Sequence, residues 1–176
     1  MQTDTELVTR LADGDDAALE AILDAYQDAV VRFARTVTRD ANTAHDAAQE
    51  AFIRLWRNPK SFSGGSLRAW LFTVARNVAL NEFRSTRRRT ARIEKAAQPP
   101  QPPTAVARAS DAERLKQVRD FIDTLPEQER SAITLFAAEG LTQQEVADVL
   151  GTSAGAVKQA VLSARSKLRE RFGDSS

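Results

Sequence analysis

The chain has 176 residues, of which 42% are hydrophobic, and this length allows either one domain or two small ones. The hydrophobic fraction is large enough for compact cores and excludes wholesale disorder. The 25 basic and 24 acidic residues nearly cancel, since the net charge is +1, so the overall charge identifies no partner. No cysteine is present, which excludes disulfides and thiolate metal sites and is typical of a reducing cytoplasm.

Charge is unevenly distributed along the chain. Residues 1–31 carry eight carboxylates against one cation, whereas residues 84–95 carry five arginines and one lysine against one glutamate. The C-terminal segment is basic again. Two separated basic segments predict two contacts with a polyanion. The N-terminus contains no apolar run, so we expect no signal peptide and no membrane span, and we place the protein in the cytoplasm.

Helix-forming residues dominate the chain, and only seven glycines are present. Few stretches alternate β-branched and polar residues, so the sequence predicts an all-α protein. Three helices are expected first, over 5–12, from Asp15 or Asp16 through Val37, and from Asn42 or Thr43 to just before Pro59.

Core residues are predicted on the third helix and on a fourth. On the third helix we assign Phe52, Leu55 and Trp56 to the core. A polar loop over 58–65 follows, and Ser66 then caps a fourth helix that ends in the arginine cluster. Its apolar residues recur at helical spacing and form the widest apolar face of the chain: Leu67, Trp70, Leu71, Val74, Ala75, Val78 and Ala79. Because Trp70 belongs to this face, we interpret it as a core residue rather than a platform for base stacking.

A linker is predicted over residues 93–110. Four prolines fall within the five residues 99–103, and they favour an extended, semi-rigid spacer because proline ends a helix. The sequence therefore predicts two small helical domains, over 1–92 and 111–172, joined by this proline-rich linker and followed by a tail over 173–176.

Two helices are expected between the linker and the C-terminal motif. The first begins at Ser110 or Asp111 and carries its inward-facing residues at helical spacing: Leu115, Val118, Ile122 and Leu125. The second runs over 127–138, with Pro126 in its first turn and with Ile133 and Phe136 facing inward.

Residues 141–171 are predicted to form a helix-turn-helix. Thr142 and Glu145 have the spacing of a capping box, Gly151 ends the first helix, and Thr152 or Ser153 caps the second. The two helices would cross over a small core of Val146, Ala147, Leu150 and Val157. The second helix exposes a polar, basic side that consists of Lys158, Gln159, Ser163, Arg165, Lys167 and Arg169. Such a pair places side chains in the DNA major groove, although an ordinary helical hairpin with a solvated face is the alternative.

Two blocks of sequence, with the linker between them, carry a resemblance to a known family. The first is DAAQEAFIRLW at 46–56 with GSLRAWLFTVARN at 65–77. The second is LPEQER at 125–130, followed by EGLT at 139–142 and GAVK at 155–158. In this order they resemble the extracytoplasmic-function (ECF, group 4) sigma factors of bacterial RNA polymerase, over nearly the whole chain.

The resemblance implies that the N-terminal domain acts as sigma region 2, which docks on the polymerase clamp and opens the −10 element. The candidates for the clamp contact are exposed polar residues of the third helix: Asp46, Gln49, Glu50, Arg54 and Arg57. DNA opening requires a pocket for an unstacked base and cations along the displaced strand. The candidates for this role are Lys60, Ser63, Arg76, Asn77, Asn81, Arg84, Arg87 and Arg88. Two asparagines on one helix face favour a functional role, because asparagine is a poor mid-helix residue whose amide can read base edges.

The C-terminal domain would act as sigma region 4, which reads the −35 element and touches the polymerase flap. Lys158, Gln159, Leu162 and Ser163 fall at the family's base-reading positions, and Arg165 and Lys167 are phosphate candidates. Ala160 and Leu162 depart from the family, where an arginine and a polar or aromatic residue are common, which predicts weaker or altered −35 binding. His45 is another departure, and we interpret this single histidine as a solvated surface residue rather than a metal ligand or pH sensor.

Three other functions compete with this interpretation. A two-domain regulator could bind an operator as a dimer without polymerase. An enzyme is disfavoured by the single histidine and by the lack of cysteine, of a Gly-rich phosphate loop and of paired catalytic carboxylates, so we expect neither an enzymatic activity nor a cofactor. An adaptor that binds a partner through the acidic N-terminal helices is compatible with the resemblance, which implies an anti-sigma factor as a partner beside core RNA polymerase and promoter DNA. The resemblance also implies association with the nucleoid when the protein is bound to polymerase.

Overall fold

The computed structural model of the chain describes residues 3–90 and 111–173, and within them the side chains of 83, 85–90 and 111 lie outside the description. These residues form eight α-helices and contain no β-strand, which confirms the predicted all-α class. The predicted linker and the last three residues of the predicted tail lie outside the described residues.

Four helices form the N-terminal group, namely α1 (Asp4–Ala12), α2 (Asp16–Thr38), α3 (Ala41–Arg57) and α4 (Leu67–Thr90). Helices α2, α3 and α4 pack against one another, and α1 lies against α2. A 3-10 turn over Pro59–Ser61 follows α3 and packs against α1 and α3.

Side-chain caps set the starts of these helices. Asp15 caps α2 as predicted, because its carboxylate accepts a hydrogen bond of 3.0 Å from the Ala17 N–H. The predicted start of α3 at Asn42 or Thr43 is wrong, since the cap is Asp40. Its carboxylate accepts hydrogen bonds of 2.7 Å from both the backbone N–H and the hydroxyl of Thr43, and this draws the first turn toward the N-terminus.

The core of the N-terminal group is built on the predicted apolar face of α4. Leu67, Leu71, Ala75 and Ala79 are buried, while Trp70, Val74 and Val78 pack against the core and are partly buried. The Phe72 ring meets the Phe33 ring of α2 edge to face, with centroids 5.1 Å apart. On α3 the core assignment is confirmed for Phe52 and Leu55. It is wrong for Trp56, which is 50% exposed.

The C-terminal group contains α5 (Asp111–Thr124), α6 (Glu127–Ile133), α7 (Gln143–Leu150) and α8 (Ala154–Phe172). Helix α6 continues through a π-helical turn over Thr134–Ala138, where the sequence predicted one regular helix over 127–138. The Glu139 N–H bonds to the Thr134 carbonyl at 3.0 Å, five residues back, so the turn accommodates one extra residue. Pro126 is the cap of α6, one position before the predicted first-turn site.

Helix α5 is less buried than its pattern predicted. Its inward assignment is wrong for Leu115, which is 59% exposed, whereas Leu125 is buried and Val118 and Ile122 are half-buried. The C-terminal half of α5 makes the contact with α8, where Phe121 meets Phe172 edge to face with centroids 5.6 Å apart. The N-terminal turns of α5 therefore gain little from packing.

The predicted helix-turn-helix is confirmed in detail. Thr142 and Glu145 form the reciprocal capping box of α7, Gly151 ends it in the left-handed region with φ 64°, and Ser153 caps α8. The predicted crossing core is buried throughout, and Val146, Ala147 and Val157 are at most 1% exposed. The Thr142 backbone and hydroxyl, and then the Ser66 side chain, hydrogen-bond to Glu145 and lower the pKa of its carboxyl.

The two helical groups pack against each other. Helix α4 lies against α7, and α2 lies against α6 and the π-helical turn. This contact brings α6, from the C-terminal group, next to α4, the helix that carries most of the predicted −10 residues.

Candidate nucleic-acid and polymerase interfaces

The second helix of the helix-turn-helix, α8, presents one continuous polar face to solvent. Four exposed residues of α8 recur at intervals of one, three and three residues and therefore share a face: Lys158, Gln159, Leu162 and Arg165. The Arg165 guanidinium also lies 5.6 Å from the centroid of the Phe136 ring. Four of the six predicted −35 residues are therefore exposed on this face.

The other two predicted −35 residues lie on the flank of α8 that faces α6. The Lys167 ammonium pairs with Glu129 of α6 at 2.8 Å, and the Ser163 hydroxyl donates to the same carboxylate at 3.1 Å. Glu129 is itself mostly buried, with 18% of its side chain exposed. These two side chains are therefore already engaged within the C-terminal group.

Ala160 faces the protein interior and is 9% exposed, so its small side chain serves the packing of α8. Leu162, by contrast, is 49% exposed on the polar face. Of the two departures from the family pattern, Leu162 is thus the one that changes the chemistry of the solvent-facing surface.

Helix α4 presents a second polar face. Asn77 and Asn81 are exposed one helical turn apart, and Arg84, three residues after Asn81, is exposed as well. Lys60 and Ser63 are exposed in the 3-10 turn and the loop that precede α4. The predicted contacts Arg87 and Arg88 lie on α4, but their side chains fall outside the described residues.

Arg76 lies on the same helix but is not open to solvent, because only 14% of its side chain is exposed. Its Nη2 lies 3.1 Å from the Glu127 Oε1 of α6, and its Nε donates to the same oxygen at 3.3 Å. A predicted DNA contact of the N-terminal group is thus paired with a carboxylate of the C-terminal group. No local sequence pattern predicts this contact, because its partners are 51 residues apart and separated by the linker.

Glu139 is a second carboxylate that joins the two groups. Its side chain is 3% exposed, and it pairs with Arg68 at 2.5 Å and with Arg32 at 3.4 Å. Burial of a carboxylate is unfavourable unless cations accompany it, and both cations come from the N-terminal group.

Arg130 of α6 completes this contact. It is 3% exposed, and its guanidinium donates to the Thr36 carbonyl of α2 and to the Leu125 carbonyl, each at 2.6 Å. Burial, and then the nearby Arg39 charge, lower the pKa of Arg130. The buried position of Arg130 was not predicted, because its neighbours in α6, Glu127 to Ser131, are polar and give no signal of burial.

The predicted polymerase contacts share one face of α3. Asp46, Gln49, Arg54 and Arg57 are exposed, and Glu50 is half-buried. Glu50 pairs with Arg54 one turn later at 2.7 Å. Such exposed pairs contribute little stability, so both side chains are available to a partner.

An apolar groove of about 310 Å³ runs between α2 and α3 beside this polar face. Its lining consists of Leu19, Leu23, Gln27, Val31, His45, Ala48, Gln49, Phe52, Ile53 and Trp56. His45 is exposed at its rim, in agreement with the prediction of a surface residue. The groove was missed by the sequence analysis, although the i, i+4 spacing of Leu19 and Leu23 and the placement of Val31 two turns later indicate a second apolar stripe on α2.

Exposed carboxylates flank the groove along α2. Asp16, Glu20, Asp24 and Asp28 recur every four residues, and three of them directly follow groove residues in the sequence. This line of negative charge lies beside apolar surface that residues 3–90 and 111–173 leave uncovered. The groove therefore suits a partner with an apolar face and a cationic edge.

Two segments of the chain match known families. Residues 22–89 match Sigma-70 region 2, and residues 115–168 match Sigma-70, region 4. Together with the helical fold, these matches define a sigma factor of RNA polymerase.

Curated relatives narrow the class. The chain is 31% identical over 184 residues to an ECF RNA polymerase sigma-E factor of Haemophilus influenzae, which covers 97% of this chain and 95% of the relative. It is 33% identical over 169 residues to a probable RNA polymerase sigma factor RfaY of Xanthomonas campestris pv. campestris, which covers 92% of this chain but 42% of that longer protein. The chain belongs to the ECF sigma factors of the sigma-70 family.

Solved structures agree with this assignment. RpoE of Bartonella quintana, in complex with the anti-sigma factor NepR, is 26% identical with a TM-score of 0.71 and covers 89% of this chain and 98% of its own. CnrH, in complex with the cytosolic domain of CnrY, is 25% identical with a TM-score of 0.68 and covers 97% of each chain. Among residues 3–90 and 111–173, no helix has the length and apolar character needed to cross a membrane, and no cluster of metal-ligating side chains occurs.

Proposed function

We propose that this chain is a dissociable promoter-specificity subunit that binds core RNA polymerase and contacts promoter DNA with two separate helices. One observation carries the proposal: α4 and α8, which belong to different helical groups, each present an exposed polar face at the positions predicted for the −10 and −35 contacts. In this proposal the DNA-contacting units are residues 1–92 and 111–172, joined by the linker over 93–110. We further propose that the protein has no enzymatic activity and needs no cofactor.

At the −10 element, α4 would hold the opened strand. The exposed amides of Asn77 and Asn81 supply both donors and acceptors for the edge of an unpaired base. Arg84, with Arg87 and Arg88 further along α4, would contact phosphates, and Lys60 and Ser63 would border the flipped base. Opening of the DNA costs the stacking and pairing of the duplex. Contacts that α4 makes only with the separated strand would offset this cost.

At the −35 element, α8 would enter the major groove. Lys158, Gln159 and Leu162 form the exposed first turns and would meet base edges, while Arg165 would meet phosphate. The free N–H groups at the start of α8, beside Ser153, add a contact for phosphate. The exposed Leu162 favours an apolar partner, such as a thymine methyl group, over a hydrogen-bonded base edge.

The core polymerase would dock on α3 through its polar face and the adjacent groove. Asp46, Gln49, Glu50, Arg54 and Arg57 supply the charged contacts, and the exposed part of Trp56 supplies an aromatic anchor of the kind that dominates binding energy at interfaces. The C-terminal group would touch the polymerase flap. Because carboxylates flank the groove, we expect the docked element to be a helix with a cationic edge.

Control by an anti-sigma factor is part of the proposal. The similar chains RpoE and CnrH were solved with NepR and with the cytosolic domain of CnrY, and the uncovered groove offers a comparable partner a binding surface. The protein would act in the cytoplasm, and at the nucleoid when bound to polymerase.

The test is transcription in vitro with purified core polymerase and a template library randomised over the −35 and −10 positions. We expect the chain to bind core and to select templates that it transcribes, and to show no specific binding to duplex DNA alone. Tight duplex binding without polymerase would favour an operator-binding regulator instead. Failure both to bind core and to stimulate any template would reject the proposal.

A double substitution separates DNA opening from polymerase binding. Asn77→Ala combined with Asn81→Ala should reduce the amount of open complex that permanganate detects, on the order of tenfold for each amide removed. The affinity for core polymerase should be unchanged. The matched control is Gln128→Ala, which removes an exposed amide from α6. Equal loss of core binding and opening would contradict the role assigned to α4.

A further inference from the structure

We propose that Leu162 recognises the C5-methyl group of one pyrimidine in the −35 element, so that the contact prefers thymine to uracil and 5-methylcytosine to cytosine. The inference rests on the proposed contact of α8 with the −35 element, and it specifies the chemical group that this contact recognises. A consequence is that methylation of a single cytosine at this position strengthens the promoter.

Leu162 is an isolated apolar side chain on a polar helix face. It is 49% exposed. Its neighbours three and four residues away on either side are all polar and exposed: Lys158, Gln159, Arg165 and Ser166. A single exposed leucine has no particular meaning on most of a protein surface. On α8, however, Leu162 lies among the residues that we expect to meet base edges, so this face presents an apolar group to the DNA.

The polar residues on one flank of Leu162 are engaged with α6. The hydroxyl of Ser163, the next residue in the chain, donates to the Glu129 carboxylate at 3.1 Å. The Lys167 ammonium pairs with the same carboxylate at 2.8 Å. Neither side chain therefore supplies a hydrogen bond beside Leu162. The base that meets Leu162 on this flank obtains its contact from the methyl groups of the leucine.

The major groove offers one apolar group to such a side chain. Base edges in this groove carry hydrogen-bond donors and acceptors, and the exception is the C5-methyl group of thymine. A leucine placed over a donor or acceptor removes water from it without replacing the hydrogen bond, which is unfavourable. A methyl group on C5 of cytosine occupies the same place in the groove as the methyl group of thymine. Leu162 therefore discriminates by the methyl group and not by the hydrogen-bonding pattern.

The size of the preference follows from the area of one methyl group. Removing one methyl-sized group from water on binding corresponds to about fourfold in affinity. We therefore expect thymine to be favoured about fourfold over uracil, and 5-methylcytosine about fourfold over cytosine. An alanine at position 162 ends at Cβ and does not reach the methyl group, so both ratios should then fall to about one.

The test uses the full chain with core polymerase, at subsaturating concentration, on templates selected from the randomised library. Each −35 thymine, on either strand, is replaced in turn by deoxyuridine, and open complexes are measured. We expect one position at which the replacement lowers open-complex formation about fourfold, and at which 5-methylcytosine exceeds cytosine about fourfold. Leu162→Ala should bring both ratios to about one. The matched control Leu115→Ala, which removes an exposed leucine from α5, should keep the parental ratios.

The comparison of modified templates with the parent chain needs no variant, so a folding defect in Leu162→Ala does not obscure it. Circular dichroism checks the helix content of both variants. Selected −35 elements that lack thymine, parental ratios of about one at every position, or ratios that Leu162→Ala leaves unchanged would each overturn the inference. These outcomes leave promoter-specific transcription in place and so do not bear on the proposed function. Absence of promoter-specific transcription on unmodified templates would reject both.

Discussion

Trp56 and Leu55 are neighbours on α3 with opposite environments, and they allow partner binding to be separated from stability. Leu55 is fully buried in the core, whereas Trp56 is 50% exposed at the edge of the groove. We therefore compare Trp56→Ala with Leu55→Ala. The first substitution should act mainly on binding to core polymerase, and the second mainly on folding.

The size of the binding effect follows from the area that Trp56 leaves open. A tryptophan buries about 200 Å² when fully covered, so its exposed half offers about 100 Å² to a partner. At about 25 cal/mol per Å², covering this area contributes about 2.5 kcal/mol. Since about 1.4 kcal/mol corresponds to tenfold, Trp56→Ala should raise the Kd for core polymerase about 60-fold.

The stability effects should fall in the reverse order. Leu55→Ala removes a fully buried side chain and leaves a cavity, which costs about 3 kcal/mol of unfolding free energy. Trp56→Ala removes about half the buried area that a core tryptophan would lose. It should therefore lower the free energy of unfolding by about 1–2 kcal/mol.

Two measurements decide the comparison. Unfolding in urea gives the stability of each variant, and titration of labelled chain with core polymerase at a temperature where both variants are folded gives Kd. We expect the Kd of Leu55→Ala to stay within about threefold of the parent value, since Leu55 offers no surface to a partner. A Kd for Trp56→Ala that is equally close to the parent value would refute the assignment of the groove to polymerase.

Three further predictions concern stability and pH. Thr142→Ala removes the side-chain half of the α7 capping box and should cost about 1 kcal/mol in thermal unfolding, whereas intact stability would show that the cap is dispensable. Arg130→Met leaves the Thr36 and Leu125 carbonyls without this donor and should cost about 3 kcal/mol in urea unfolding, against a negligible change for the exposed Arg57→Met. Burial, and then the hydrogen bond to Asp4, raise the pKa of Tyr26 to about 12, above its ordinary value of 10. Because the folded state then keeps its proton while the unfolded state loses it, stability should be intact below pH 10 and should fall between pH 10 and 12. Absorbance titration of this single tyrosine checks the shift, and a midpoint near pH 10 in the folded chain would contradict it.

Features encoded within a few consecutive residues were predictable from the sequence. The capping box at Thr142 and Glu145, the left-handed Gly151 and the exposed side of α8 each depend on spacings shorter than two helical turns. The apolar face of α4 was predictable for the same reason, since helical periodicity alone fixes which side chains share a face.

The features that the sequence did not reveal arise from contacts between distant segments. Arg76 and Glu127 are 51 residues apart, and Arg68 and Glu139 are 71 apart, so no local pattern pairs them. Trp56 follows the periodicity of a core residue, but it lines the groove between α2 and α3 and stays half-exposed. The start of α3 was misplaced for a different reason, because Asp40, Asn42 and Thr43 are all suitable caps and the structure selects the first.

The π-helical turn over Thr134–Ala138 sets the direction in which Glu139 points. One extra residue in a helical turn rotates everything after it by about 100° relative to a regular α-helix. Deleting a single residue from this turn would restore regular hydrogen bonding and also turn Glu139 away from Arg68 and Arg32. An irregularity of one residue within the C-terminal group therefore determines whether that group fits against the N-terminal group.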